Sequence, residues 1–396
     1  MKTLIEIFDE NQIENVIAGL TFNVRKVIFI GYDFIMTPGR IEDVKRIFRK
    51  KSPGTTLYFE IVQKYDFEGN IKKLEHIVKS NEECVFDVSG GKEILLACVG
   101  TVAFQNKIPI IQFDVETGKF ISVYCANEYE RFSDVTLSFK ETVHLNGGTV
   151  VETTNNDFRW QLNKEFKNDL QSMWDICRKD CAKWNKHTNI LASFESETPY
   201  SLNVTGNKER LNPDRDFLDL LIENKLIKNY YEDGRNIYFS YKNEAVKRTL
   251  IKSGNLLELY TYMLLHEIEN ENEGYYDDIL TGVVVDWDGI VYRRFPYPAD
   301  TQNELDIVVM RDSVPVFVSC KNGEVHKEAL YELDIVADKF GGKYAKKVLV
   351  STYMSFNEKG RKHLKTRAND MNIELVHGVE KLTRNQYKEL LKNKIK

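Results

Sequence analysis

Asn303-Glu304-Leu305-Asp306-Ile307-Val308-Val309 and, after a short break, Val316-Phe317-Val318-Ser319-Cys320-Lys321-Asn322 are two apolar runs of strand length. Folded as antiparallel strands that turn at Arg311-Asp312-Ser313-Val314, they set Asp306 opposite Ser319 and Glu304 opposite Lys321. Side chains alternate along a strand and directly paired residues share a face. Glu304, Asp306, Ser319 and Lys321 are therefore expected on one side, and Leu305, Ile307, Val318 and Cys320 on the other. An amphipathic hairpin with a solvated polar face shows the same alternation. Two carboxylates, a hydroxyl and an ammonium also match a site for Mg²⁺ or Mn²⁺, which polarises a phosphoryl oxygen and lowers the pKa of a bound water. The lysine is placed to orient that water or to neutralise the pentavalent phosphorane.

Upstream, Gly254-Asn255-Leu256-Leu257-Glu258-Leu259-Tyr260 opens a helix in which Glu258 interrupts an apolar run. A carboxylate there must be paired, bound to metal or turned toward a cleft, so Glu258 becomes a third candidate ligand. His266-Glu267-Ile268-Glu269-Asn270 lacks the second histidine of a zinc-peptidase helix, which excludes that chemistry. Strands are expected at 279–285 and 291–295, leading into the hairpin.

The chain of 396 residues is 42% hydrophobic, enough for two or three cored domains. No run is long and apolar enough to span a bilayer, and Met1-Lys2-Thr3-Leu4-Ile5-Glu6 carries an acid where a secretory signal would stay apolar, so a cytoplasmic protein is expected. The six cysteines lack zinc-site spacing and are expected to be reduced core residues. A net charge of −5 leaves nucleic-acid binding to local patches, and 339–396 supplies one, with 15 Lys or Arg against 5 Asp or Glu.

Residues 1–150 alternate apolar runs with helical stretches, the pattern of a doubly wound α/β domain. Strands are expected at 3–8, 26–31, 56–62, 85–88 and 109–114, and helices near 12–20, 40–50, 69–79 and 92–105. Ligands of such sheets lie beyond the carboxyl ends of the strands. Two strand ends there are polar. Asp87-Val88-Ser89-Gly90-Gly91-Lys92 offers glycines and a helix start to a phosphate, without the spacing of a P-loop or dinucleotide fingerprint. Asp9-Glu10-Asn11-Gln12-Ile13-Glu14-Asn15 offers groups able to read a base or ribose, although an acid or amide there also serves as a helix cap. Residues 151–252 read as a helical connector with a winged-helix-like element at 217–252, whose Lys225, Lys228, Arg235, Lys242, Lys247 and Arg248 would suit DNA, although a solvated surface explains them better. Residues 253–396 complete the chain as the domain carrying the hairpin.

Together, Glu304-Leu305-Asp306, Ser319-Cys320-Lys321-Asn322-Gly323, Leu330-Tyr331-Glu332-Leu333-Asp334, Phe340-Gly341-Gly342-Lys343, Leu4-Ile5-Glu6-Ile7-Phe8-Asp9, Ile13-Glu14-Asn15 and Ser89-Gly90-Gly91-Lys92 resemble CRISPR-associated effectors that join a CARF sensor to a restriction-endonuclease-like, PD-(D/E)xK nuclease domain. The resemblance spans essentially the whole chain. It implies a Rossmann-like CARF domain followed by a restriction-endonuclease-like α/β domain. It further implies a homodimer that binds a cyclic oligoadenylate, with cyclic tetra-adenylate expected, and then cleaves DNA or RNA with Mn²⁺ or Mg²⁺. Asp306 matches the family's metal carboxylate, Lys321 its catalytic lysine and Glu258 its helix carboxylate, with Cys320 the further position at the metal. Asp9, Gln12, Asn15, Ser89, Gly90, Gly91 and Lys92 match its ligand-binding edge. Ser319 departs from the pattern, which has an acid two residues before the lysine; either Glu258 or Glu304 is then expected to supply the missing charge, or the metal to bind more weakly. Two other readings are a ligand-responsive transcription regulator with an inactive nuclease-like domain, and a nuclease without ligand control.

Overall fold

The computed structural model describes residues 1–151, 160–290, 301–353 and 357–395. The expected strand at 291–295 and Lys396 lie outside the described residues.

Strands β1 (Thr3–Ile7), β2 (Lys26–Gly31), β3 (Thr56–Ile61), β4 (Cys84–Asp87) and β5 (Ile110–Asp114) alternate with helices α1 (Glu14–Thr21), α2 (Pro38–Lys51), α3 (Phe67–Lys79) and α4 (Glu93–Asn106). Local chemistry marks the helix starts: Thr37 caps α2 ahead of Pro38, and Asp66 accepts from Gly69 N to cap α3. The five strands are parallel in the order β3-β2-β1-β4-β5, and β6 (Lys119–Tyr124) and β7 (Arg131–Phe132) extend the sheet antiparallel at its edge. The order reverses between β1 and β4. Helix packing on both faces buries Leu4, Ile5, Val27, Phe29, Phe86 and Val99 in one core.

Residues of α5 (Phe139–Leu145) and β8 (Thr149–Val150) precede the expected boundary near 150 but serve the other end of the molecule. β8 pairs with β12, and Phe139 and Val143 pack in the core of the C-terminal sheet. The connector folds as α6 (Lys164–Cys177), α7 (Cys181–Leu191), β9 (Asn203–Asn207), α8 (Lys208–Leu211), α9 (Arg215–Glu223), β10 (Ile227–Asp233), β11 (Asn236–Tyr241) and α10 (Glu244–Leu250). Its three strands form an antiparallel sheet in the order β10-β11-β9.

The C-terminal part is built from α11 (Asn255–Glu271), β12 (Asp278–Asp286), β13 (Gln302–Arg311), β14 (Val314–Lys321), α12 (Lys327–Gly341), β15 (Lys346–Ser351), α13 (Glu358–Asp370), β16 (Ile373–His377) and α14 (Arg384–Lys394). Its sheet runs β16-β15-β14-β13-β12-β8. One face packs on α6, α11 and α14 through Ile307, Val309, Val318, Leu264 and Leu391; the other packs on α5 and α12 through Val308, Met310, Phe317, Leu333 and Phe340.

The hairpin has the expected register, with Arg311 opposite Val314 and Ile307 opposite Val318. Asp312 and Ser313 form its two-residue turn at φ +50° and +64°, the left-handed pair that matches strand twist. The expected single-face alternation fails at one point. Leu305 joins the core of Val308 and Met310, whereas Ile307 lies in the opposite core with Val318 and Cys320. The physical cause lies beside Asp306. Gly282 on the neighbouring strand has φ +60°, and the Asp306 carboxylate itself accepts the Cys320 N–H at 2.7 Å, taking a donor from the ladder. The strand twists there and its side chains change sides.

Candidate functional site

At the open end of the hairpin, Asp306 accepts hydrogen bonds from Cys320 N at 2.7 Å and Ser319 Oγ at 3.3 Å. Glu258, in the first turn of α11, lies close enough for the two acids to repel. Burial and the Asp306 charge push its carboxyl up to about 7, while burial also raises Asp306. Lys321 favours the ionised form of both acids and makes no ion pair among the described residues. The twist turns Glu304 away: its carboxylate pairs with Lys252 at 3.3 Å, not with Lys321 as expected from strict pairing. The Cys320 thiol is buried under α11, where burial raises it far above its ordinary value, so any metal contact from this position falls to its main-chain oxygen. Cleft walls are completed by Ala329, Glu332, Leu333 and Val336 of α12.

The structure thus brings Asp306, Ser319, Lys321 and Glu258 together and places Glu304 at the rim. Among the described residues no group of three or more His, Cys, Asp or Glu stands ready as a metal cage. The donor set nevertheless suits a hard divalent cation. Two half-buried, mutually repelling carboxylates regain their charge beside one, and the oxygen chemistry fits Mg²⁺ or Mn²⁺ better than a softer metal.

A second polar crevice opens where the N-terminal sheet reverses order between β1 and β4, the place such sheets bind ligands. Asp9 joins its two loops: Oδ1 accepts Asn11 N at 2.9 Å and Oδ2 accepts Gly91 N at 2.7 Å. Gly90 is required by close approach, since a Cβ there would meet the Asp9 Cβ at 2.5 Å. Gln12 and Asn15 are turned inward, where both donate to the Asp9 carbonyl, and Ser89 Oγ is engaged by Asp87 and by Phe113 N. Lys92 remains accessible, paired at 3.3 Å with Glu10 at the mouth. The expected ligand residues are therefore adjacent, but several of them shape the loop and leave Lys92 as its outward charge.

Beneath this crevice Glu6 pairs in register with Asp87, and both side chains are fully buried. Burial holds Glu6 well above the carboxylate range and Asp87 at about 7. The folded protein therefore keeps protons that the unfolded chain releases, and the resulting stability is present at low pH and lost as pH rises toward 7. Apparent Tm is expected to fall between pH 5 and pH 8, with Asp87→Asn removing up to about 3 kcal/mol of that pH dependence. A thermal-shift series in which the variant keeps the wild-type slope would refute this.

Basic residues of the winged-helix-like element are largely engaged inside the protein. Arg235 pairs with Glu209, Lys242 with Glu165 and Asp169, and Arg248 with Glu244, while Lys247 donates to the carbonyls of Pro199 and Ser201. On α13, by contrast, Lys359, Arg361, Lys362, Lys365 and Arg367 are exposed, and Arg367 stacks over Tyr331 of α12, beside the cleft. Five of the six cysteines are buried; Cys125, which follows the end of β6, is exposed, contrary to expectation. No described helix is long and apolar enough to cross a membrane.

Residues 244–395 match the family described as Card1-like, endonuclease domain. No curated protein matches the chain. Among solved structures, VC1899 from Vibrio cholerae aligns with a TM-score of 0.78 at 18% identity, covering 99% of this chain and 97% of that one. Can2 from Sulfobacillus thermosulfidooxidans, in complex with cyclic tetra-adenylate, aligns with a TM-score of 0.71 at 18% identity, covering 100% and 99%. At that identity the two likenesses establish the fold over the whole chain: a Rossmann-like sheet joined to a restriction-endonuclease-like one.

Proposed function

We propose that this protein, whose residues 244–395 match the Card1-like endonuclease domain family, is a metal-dependent endonuclease of type III CRISPR defence, activated in the cytoplasm by cyclic tetra-adenylate. The observation that carries the reading is the meeting of Asp306 and Lys321 in one cleft inside the matched domain, with Glu258 near enough to feel both charges. A homodimer with two sensor crevices around one ring fits a symmetric ligand. The Can2 structure with cyclic tetra-adenylate supports the choice of activator.

Asp306 and Glu258, with the Cys320 main-chain oxygen, would hold Mg²⁺ or Mn²⁺. Such a cation supplies charge stabilisation at the phosphoryl group and an acidified water. Lys321 orients the attacking water and offsets negative charge growing on the phosphorus oxygens. Burial under α11 and α12 keeps the local dielectric low, which strengthens both effects. The basic face of α13 would track the phosphates of DNA or RNA.

Cleavage of supercoiled plasmid, single-stranded DNA and single-stranded RNA, with Mn²⁺ or Mg²⁺ and with or without cyclic tetra-adenylate, tests the reading. Degradation that needs metal and ligand together is expected, and its substrate identifies the preferred nucleic acid. Sequence-specific duplex binding with no cleavage under any condition would replace the nuclease with a regulator. In the same assay Lys92→Ala is expected to weaken activator binding at least about tenfold, the order of one charge-assisted phosphate contact; an unchanged activator dose response would remove Lys92 from the crevice.

A further inference from the structure

The site lacks one charge. Ser319 stands opposite Asp306 where a second strand carboxylate would complete an oxygen cage, and its hydroxyl is occupied in donating to Asp306. Glu304, the next acid on the hairpin, is held by Lys252. Glu258 and Asp306 alone leave a divalent cation with few anionic ligands.

The opposite wall of the same cleft carries an acid without an assignment. Ala329, Glu332, Leu333 and Val336 recur at the spacing of one helical face and line the cleft with Asp306, Ser319 and Lys321. Leu333 and Val336 are buried against the sheet, which fixes the rotation of α12 and directs Glu332 to the cleft. Glu332 makes no hydrogen bond or ion pair among the described residues, unlike its neighbour Asp334, which pairs with Lys347. An acid without a hydrogen-bond or ion-pair partner among the described residues, lining the same cleft as Ser319, is available to a cation.

We propose that Glu332 supplies, from α12, the metal-binding carboxylate that Ser319 does not, directly or through one water. This rests on the nuclease reading above. It makes α12 part of the catalytic machinery. α12 also ends at Gly341, beside the Gly342-Lys343-Tyr344 contact with the N-terminal domain, so the position of Glu332 is tied to that domain.

The test is Mn²⁺ titration of the full-length protein, read by electron paramagnetic resonance and calorimetry, with cleavage measured in parallel. Glu332→Gln is expected to weaken Mn²⁺ at least about tenfold, the range reached by losing even an indirect metal contact. Glu328→Gln, one turn earlier on α12 but outside the cleft lining, is expected to bind as wild type. Adding Ser319→Asp to Glu332→Gln returns a carboxylate to the strand and is expected to restore both Mn²⁺ affinity and cleavage. Wild-type Mn²⁺ affinity in Glu332→Gln, with affinity lost in Asp306→Asn, would overturn the proposal and leave the nuclease reading standing. Unchanged affinity in both variants would overturn the metal site itself.

Discussion

Asp306→Asn and Lys321→Ala are each expected to reduce cleavage on the order of 10²–10⁴-fold, the range for loss of one preorganised catalytic group, while leaving cyclic tetra-adenylate affinity unchanged. For Asp306 the effect is chemical. An asparagine keeps the shape and, through its carbonyl oxygen, the bond from Cys320 N that Asp306 makes at 2.7 Å, so the end of the hairpin survives. What it loses is the negative charge that a divalent cation requires. Lys321 lies at the end of β14 with no ion pair among the described residues, so its removal leaves no orphaned partner. Both variants should therefore melt near the wild-type temperature. Initial rates at saturating metal and activator check the expectation, and activity within tenfold of wild type in either variant would displace that residue from the chemistry.

The hairpin that carries Asp306 and Lys321 was legible because its signals are local. Two strand-length apolar runs and a two-residue turn fix the register, and the register alone sets Asp306 against Ser319. The parallel strands β1 to β5 were legible for the same reason: their apolar runs are punctuated by helix caps at Thr37 and Asp66. β6, β9 and β10 were not, since half-exposed antiparallel strands such as Lys119–Tyr124 mix polar and apolar residues with weak contrast. The reversal at Leu305 depends on the φ of Gly282 in another strand, which no window around Leu305 contains. Glu332 was hidden differently. Its helical face is readable, but only the placement of α12 on the sheet shows that the face meets Ser319. Contacts between the two ends of the chain, such as Glu14 with Lys343, leave no local trace.

That last contact carries the second large expectation: Lys343→Ala combined with Tyr344→Phe should bind cyclic tetra-adenylate normally and lose most of its stimulation by it. Glu14 opens α1 immediately after the Asp9 loop and is buried, where Lys343 Nζ meets it at 2.7 Å and the Tyr344 hydroxyl donates to it. Asn11 of the same loop accepts from Lys343 N. A shift of the ligand loop must therefore move the segment that joins α12 to β15, and with it the cleft wall. The hairpin is gripped as well: Ser313 at its turn donates to the Val135 carbonyl at 3.0 Å and accepts from Leu137 N at 2.9 Å. Both grips lie at the far end of elements that reach the proposed site, so rigid-body displacement suffices and no chain of side chains is needed. Allosteric couplings amount to about 5–150-fold, and the double variant should lose a share of that order from the stimulation ratio. Lys343 is half-exposed, so its loss leaves Glu14 to take up a proton, a compensation that its raised pKa already favours, and the fold is preserved. Stimulation ratios equal to wild type, measured at matched activator occupancy, would show that the signal reaches the cleft by another route.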